Sequence, residues 1–179
     1  MSVKGAGARR KGSRAEIKVR NMLRTIYPPE LHKNVQRVPL SGAGAIKCDV
    51  MDMNDPDSAY EVKCQETLNL NDWWKQSKFQ AGHSRTPILV ITQAYRPFYF
   101  ILHRKDWEAM RDATEYELFG DTVELKSPRN LMDKLAELEQ HQVAALTIDG
   151  DECVLVPQNF YLEVKESIFL FVDIDAPKK

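Results

Sequence analysis

Residues 48–63 read CDVMDMNDPDSAYEVK, two short apolar runs on either side of a turn. Asn54 to Ser58 supplies the Asn, Asp, Pro and Ser chemistry that favours turns. The flanking runs, about Lys47 to Met53 and Ala59 to Gln65, therefore predict two strands that pair as antiparallel neighbours. Strand side chains alternate between faces. Glu61 and Lys63 then project from one face, and Tyr60, Val62 and Cys64 from the other. In the preceding strand Asp49 points away from the side taken by Cys48 and Val50. This pairing brings Asp49 and Glu61 together, with Lys63 beside them. Buried charge is costly without partners, and two adjacent carboxylates repel unless something neutralises them. A hard divalent cation prefers such oxygen ligands, and magnesium typically keeps several waters beside one or two carboxylates. The bland alternative is a strand-end aspartate bonded to a turn, with a cross-strand ion pair facing solvent.

Working outward, Ser13 with Glu16 three residues later reads as a capping box opening a helix. Its apolar face is Ile17, Val19, Met22, Leu23 and Ile26, and Tyr27-Pro28-Pro29 ends it. A strand follows at about Asn34 to Val38, then the glycine-containing loop Pro39 to Gly44. After the opening pair of strands come a helix near Asn71 to Ala81 stopped by Gly82, a buried strand Pro87 to Thr92, a strand Phe98 to His103 and a helix Arg104 to Ala113. The order α-β-β-β-α-β-β-α predicts an α/β domain with a mixed sheet and helices packed against it. Beyond it, Ser127-Pro128 suggests N-cap and N1 of a helix to about Gln140. Short strands are expected near Ala144–Ile148, Val154–Val156 and Ile168–Ile174. Core is the expected place for Trp73 and Trp74. Gln76 and Gln80 lie on the same helix.

The bulk composition agrees. The 179 residues are 43% hydrophobic and 28% charged, enough for a core and unlike a disordered chain. No apolar run approaches a bilayer span, so no membrane association is expected. Cys48, Cys64 and Cys153 form no CxxC pair, and the scattered histidines give no zinc pattern; a reduced, cytoplasmic protein is the simplest expectation. The net charge of −1 hides an asymmetry: residues 1–105 carry 18 basic and 9 acidic side chains, residues 106–179 carry 7 and 17. The basic start, with Arg9, Arg10, Lys11 and Arg14, is a candidate phosphate-binding arm. Residues 1–12 are expected to be a flexible basic arm, 13–113 the core and 114–179 an acidic C-terminal extension turned away from any nucleic acid.

Arg10-Lys11-Gly12-Ser13-Arg14-Ala15-Glu16 at the first helix, Ser41-Gly42 in the loop, Asp49, Glu61-Val62-Lys63 and the strand Pro87 to Ile91 together resemble the PD-(D/E)XK nuclease superfamily, and within it the archaeal-type Holliday-junction resolvases, some of which occur in phages. The resemblance covers roughly residues 9–107. Lys47-Cys48 stands where a proline often precedes the aspartate, and residues 114–179 have no counterpart in the minimal resolvases. The resemblance implies an α/β fold with a PD-(D/E)XK restriction-endonuclease-like core, a central mixed β-sheet flanked by helices, carrying the acidic α+β extension. It implies a homodimer that binds branched DNA, a four-way junction, and cuts two strands of like polarity with Mg2+, Mn2+ substituting. By family pattern Asp49 and Glu61 ligate the metal with the Val62 carbonyl as a further ligand. Lys63 orients water and steadies transition-state charge, Glu16 reaches the site from the first helix, and Ser41 touches metal-bound water or phosphate. Arg9, Arg10, Lys11 and Arg14 contact DNA. The alternatives are a restriction-like or repair nuclease of the same superfamily and a non-catalytic DNA-binding protein, in which the carboxylates serve structure alone.

Overall fold

Strand β3 (Ser58–Cys64) is the axis on which the rest is placed. The computed structural model describes residues 3–38, 47–114, 121–139 and 141–175, with side chains between 11 and 171. β1 (Val35–Arg37) and β2 (Val50–Asp52) precede β3 as an antiparallel meander, Gln36 facing Met51 and Val50 facing Tyr60. α2 (Leu70–Ala81) then crosses over so that β4 (Thr86–Thr92) lies parallel to β3, Glu61 beside Leu89 and Lys63 beside Ile91. Parallel strands need such a crossover, and helices on both faces bury them. β5 (Tyr99–His103) returns antiparallel. The sheet continues through β8 (Asp151–Pro157), β7 (Val143–Ile148) and β6 (Thr122–Glu124), giving eight strands in the order β1-β2-β3-β4-β5-β8-β7-β6. This is the mixed, helix-flanked α/β sheet that the sequence predicts.

Two apolar layers sandwich the sheet. On one face α1 (Val3–Arg24) lays Ala15, Val19 and Leu23 onto Val50, Tyr60 and Val62, and α3 (Arg104–Asp112) and α5 (Gln158–Asp175) add Trp107, Phe160, Tyr161 and Val164. On the other, α2 supplies Leu70, Trp73 and Trp74, and α4 (Leu131–Ala136) supplies Leu131, Met132 and Leu135, against Leu89, Ile91 and Ile101. Trp73 and Trp74 thus both sit in the core. Each fully buried side chain of this size contributes roughly 1.5–3 kcal/mol. Gly82 ends α2 with φ 68, its N–H on the Lys78 carbonyl. Asp149-Gly150, both at positive φ, close the β7–β8 hairpin with the two-residue turn that suits strand twist.

Four expectations are corrected. α1 begins at Val3, so the segment expected to be a flexible arm is helical from there on; Ala6, Ala8, Arg9, Arg10 and Lys11 favour helix strongly enough to carry Gly5 and Gly7. Ser13 and Glu16 consequently lie inside the helix and form no capping box. The expected strand at 168–174 is the end of α5: Phe160, Tyr161 and Val164 set a helical stripe that Ile168 and Phe169 continue. α4 is one short helix from Leu131, entered through Asn130 at φ 56, while Ser127 accepts a hydrogen bond from the Arg129 N–H in the turn before it. Residues 121–175 continue the same sheet. β8 pairs with β5 over five residues, from Tyr99–Pro157 to His103–Cys153.

Candidate active site

The β2–β3 ladder breaks beside Asp49. Val50 faces Tyr60 in register, but the Asp49 N–H reaches the Tyr60 carbonyl at 2.9 Å, a one-residue offset, and its own carbonyl accepts from Val38 of the β1 side at 2.9 Å. The Val62 N–H, which a regular ladder would pair with a backbone carbonyl of the opposite strand, instead donates to Asp49 Oδ2 at 2.9 Å. Such an irregularity re-aims a side chain and ends pairing. It holds the Asp49 carboxylate in the gap between strands, and because the N–H and C=O of one strand residue point the same way, the Val62 carbonyl faces that gap too. The bend also corrects one expectation: Cys48 packs with Ala59 and Ala81 on the α2 face, while Val50 packs under α1, so the two do not share a side.

Glu61 and Lys63 project to the α2 face, as alternation predicts. Glu61 is 2% exposed, with Oε1 2.6 Å from Lys63 Nζ. Lys63 also donates to Gln76 Oε1 of α2 at 3.0 Å. Glu61 Oε2 is buried without a hydrogen-bond partner. Burial first, then the charge of Asp49, push the Glu61 carboxyl up to about 7, against the opposing pull of Lys63. One lysine does not neutralise the pair, and two carboxylates this close call for a cation or a shared proton between them.

Glu16 stands on α1, on the other face. It forms an ion pair with Arg37 of β1, and Arg37 also donates to Ser13 Oγ at 3.1 Å. Arg37 faces Val50, one residue before the strand position whose backbone meets Asp49. Glu16 thus braces the strand beside the carboxylate pair. Ser41 lies outside the described residues, as do the side chains of Arg9 and Arg10. Lys11 and Arg14 are exposed and, with Lys18, line a groove between α1 and the β4–β5 connection. Lys18 was not singled out in the sequence, although Lys11, Arg14 and Lys18 stand at i, i+3 and i+7 of one helix face. Arg37 had no local signal, since its partners lie 21 and 24 residues away.

Among the described residues no cluster of three or more His, Cys, Asp or Glu side chains is poised for a metal. The donor set is therefore two carboxylates and a backbone carbonyl. That composition, with one buried carboxylate oxygen unpartnered, fits a hard cation that completes its shell with water and a substrate phosphate, and it does not fit a structural zinc site.

The family described as "phage putative PDDEXK endonuclease" matches residues 7–146, a span that contains most of α1, Asp49, the Glu61-Val62-Lys63 triplet and the chain into β7. No curated protein and no solved structure shows significant similarity to the chain. With the aspartate at the strand break, the ExK triplet on the neighbouring strand and a match over most of its length, the chain belongs to this phage family of PD-(D/E)XK endonucleases.

Proposed function

We propose that the protein is a divalent-cation-dependent DNA endonuclease, acting as a homodimer that resolves four-way junctions in the host cytoplasm. The observation that carries the chemistry is the Glu61 carboxylate, buried against Asp49 with one oxygen unpartnered and Lys63 at 2.6 Å from the other. In this reading Asp49, Glu61 and the Val62 carbonyl hold Mg2+, or Mn2+ in its place. Such an ion supplies polarisation of the scissile phosphate and lowers the pKa of a bound water. Lys63, fixed between Glu61 and Gln76, places a positive charge where the phosphate gains negative charge, and fixed charges of this kind need no reorganisation during reaction. Glu16 acts through Arg37 and the strand beside Asp49. Ser41 contacts the phosphate from the loop, and Arg9, Arg10, Lys11 and Arg14 hold the DNA backbone.

The junction preference draws on the helix-start residues and the basic α1. The test is incubation with labelled four-way junctions, linear duplex and Mg2+. Asp49→Asn is expected to bind DNA normally and to lose at least about a thousandfold in cleavage. Equal cutting by that variant overturns the assigned site. Cutting of linear duplex with indifference to junctions replaces the target and keeps the chemistry. Binding without cleavage of any DNA form removes the enzymatic reading.

A further inference from the structure

The connection between β4 and β5 holds a residue that the proposed chemistry does not use. Tyr95 is fully exposed and has φ 62. It occupies the third position of a turn in which the Arg96 N–H donates to the Gln93 carbonyl at 3.1 Å. Thr92 Oγ1 lies 3.1 Å from the Gln93 carbonyl and 2.9 Å from that of Arg96, and Gln93 Nε2 donates to the Glu66 carbonyl at 2.6 Å. Glycine or asparagine serves this turn position with less strain. A large aromatic here gains no packing in the folded chain and sits in an unfavourable backbone region. An outlier of this kind points to a use in binding.

The surroundings say what it binds. Tyr95 stands on the rim of a groove of about 300 Å³ between α1 and this connection. One wall is Lys11, Arg14 and Lys18. The other holds Arg96, itself 2.8 Å from Asp133. The floor is apolar, with Ala15, Cys64 and Phe98. Cys64 follows Lys63 directly and pairs with Thr92 in the β3–β4 ladder, but it faces α1 where Lys63 faces α2, so the groove lies at the same end of β3 on the opposite face of the sheet. Glu66 lies 3.8 Å from Lys11, but both are more than 60% exposed, and a phosphate displaces so weak a pair readily.

We propose that this groove seats an unpaired nucleotide of the DNA substrate, its base stacked on Tyr95 and its flanking phosphates on Lys11, Arg14 and Lys18. The inference rests on the endonuclease reading and deepens it by naming the substrate class: DNA that carries an unpaired, unstacked base. Basic walls, an apolar floor and an aromatic platform are the combination that single strands bind. A continuous duplex keeps its bases stacked and offers no free face to Tyr95.

The experiment uses the full chain without divalent metal. Three labelled DNAs are compared by fluorescence anisotropy: a single strand, a paired duplex, and a duplex with one unpaired 2-aminopurine, whose fluorescence falls on stacking. The wild type is expected to favour the first and third and to quench the 2-aminopurine. Tyr95→Ala should weaken those two by about tenfold, abolish the quenching and leave duplex affinity unchanged; Tyr95→Phe should behave as wild type. Because Tyr95 buries nothing, circular dichroism of the alanine variant should match the wild type. Equal affinity of Tyr95→Ala for all three DNAs, absence of quenching by the wild type, or a change of oligomeric state in place of DNA binding overturns the proposal. Failure of the endonuclease reading is distinguishable. A chain that quenches but cuts no DNA with Mg2+ refutes that reading and keeps the groove; one that cuts but does not quench does the reverse.

Discussion

Glu61 carries a carboxylate at 2% exposure, raised from 4.5 to about 7 by burial and by Asp49. The native chain therefore holds this proton more tightly than the unfolded one. Its contribution to stability is full below about pH 4.5 and is lost as pH rises to about 7. Between pH 6 and 8 the metal-free protein should lose about 1 kcal/mol through this group alone. Urea unfolding of wild type and Glu61→Gln at both pH values checks this: the substitution should remove that pH dependence and abolish cleavage. Added Mg2+ should stabilise the wild type at pH 8, since a cation favours the ionised form, and leave Glu61→Gln unchanged. Much at this scale was legible. The turn at 54–58 and the two-residue spacing of Glu61 and Lys63 sufficed to bring the carboxylates together, although Asp49 sits in the bend before β2 and not in the strand itself. The side taken by Cys48 was not legible, because alternation assumes a regular strand and the Asp49 carboxylate takes the Val62 N–H out of the ladder. The Glu16–Arg37 pair joins residues 21 apart, a tertiary contact with no local pattern.

At the scale of elements, the turn carrying Tyr95 predicts a trade between stability and binding. Asparagine tolerates positive φ better than tyrosine, and Tyr95 loses no packing when replaced. Tyr95→Asn should raise stability by about 1 kcal/mol, a rise of roughly 2–4 °C in Tm for a chain of this size, while weakening binding to unpaired DNA. A rise in Tm read by calorimetry supports the strain argument; a fall removes it. α2 offers an opposite case. The Trp74 indole donates to Asp151 Oδ2 at 2.8 Å, and Lys78 holds the same carboxylate at 2.6 Å, tying α2 to the β7–β8 hairpin. Trp74→Phe leaves Lys78 as a partner but removes the part-buried indole bond, and should cost about 1 kcal/mol in urea unfolding. Elements with a strong period and clear stops, such as α2, β3 and β4, follow from sequence to within a residue or two. α5 does not, since Ile168 to Ile174 is rich in β-branched and aromatic residues, and the helix is set by packing of Phe160 on Trp107, Tyr161 on Phe100 and Phe169 on Tyr27. β6 is three residues, Thr122 and Glu124 exposed and Val123 half-buried, defined by pairing with β7.

Across the whole molecule the strands of the acidic half continue one sheet away from β3. β6 lies five strands from β3, about 24 Å at the usual strand spacing and well beyond the screening length at physiological salt. Neutralising Asp121 and Glu124 there (Asp121→Asn with Glu124→Gln) should change DNA affinity less than about twofold, whereas Arg14→Gln should weaken it and flatten its salt dependence by about one unit of slope. The same sheet decides whether the acidic half can be removed. Asymmetry of charge in the sequence suggests a separable extension, but charge marks surface and not cooperativity. β8 supplies the ladder that covers β5, and α5 places Phe160, Tyr161 and Val164 in the core beneath α1 and α3. Phe100 stacks on Tyr161 at 4.0 Å, and the Tyr161 hydroxyl meets that of Tyr60, the residue before Glu61, at 3.1 Å. Deleting residues 115–179 would strip one edge of β5 and open both apolar layers, exposing far more than the few kcal/mol by which domains are stable. The truncated chain should therefore lack a cooperative unfolding transition by circular dichroism, aggregate on gel filtration and cut no DNA. A soluble, cooperatively folding 1–114 fragment would mean that β1–β5 form an independent unit, and that Tyr60 and Glu61 keep their places without Tyr161.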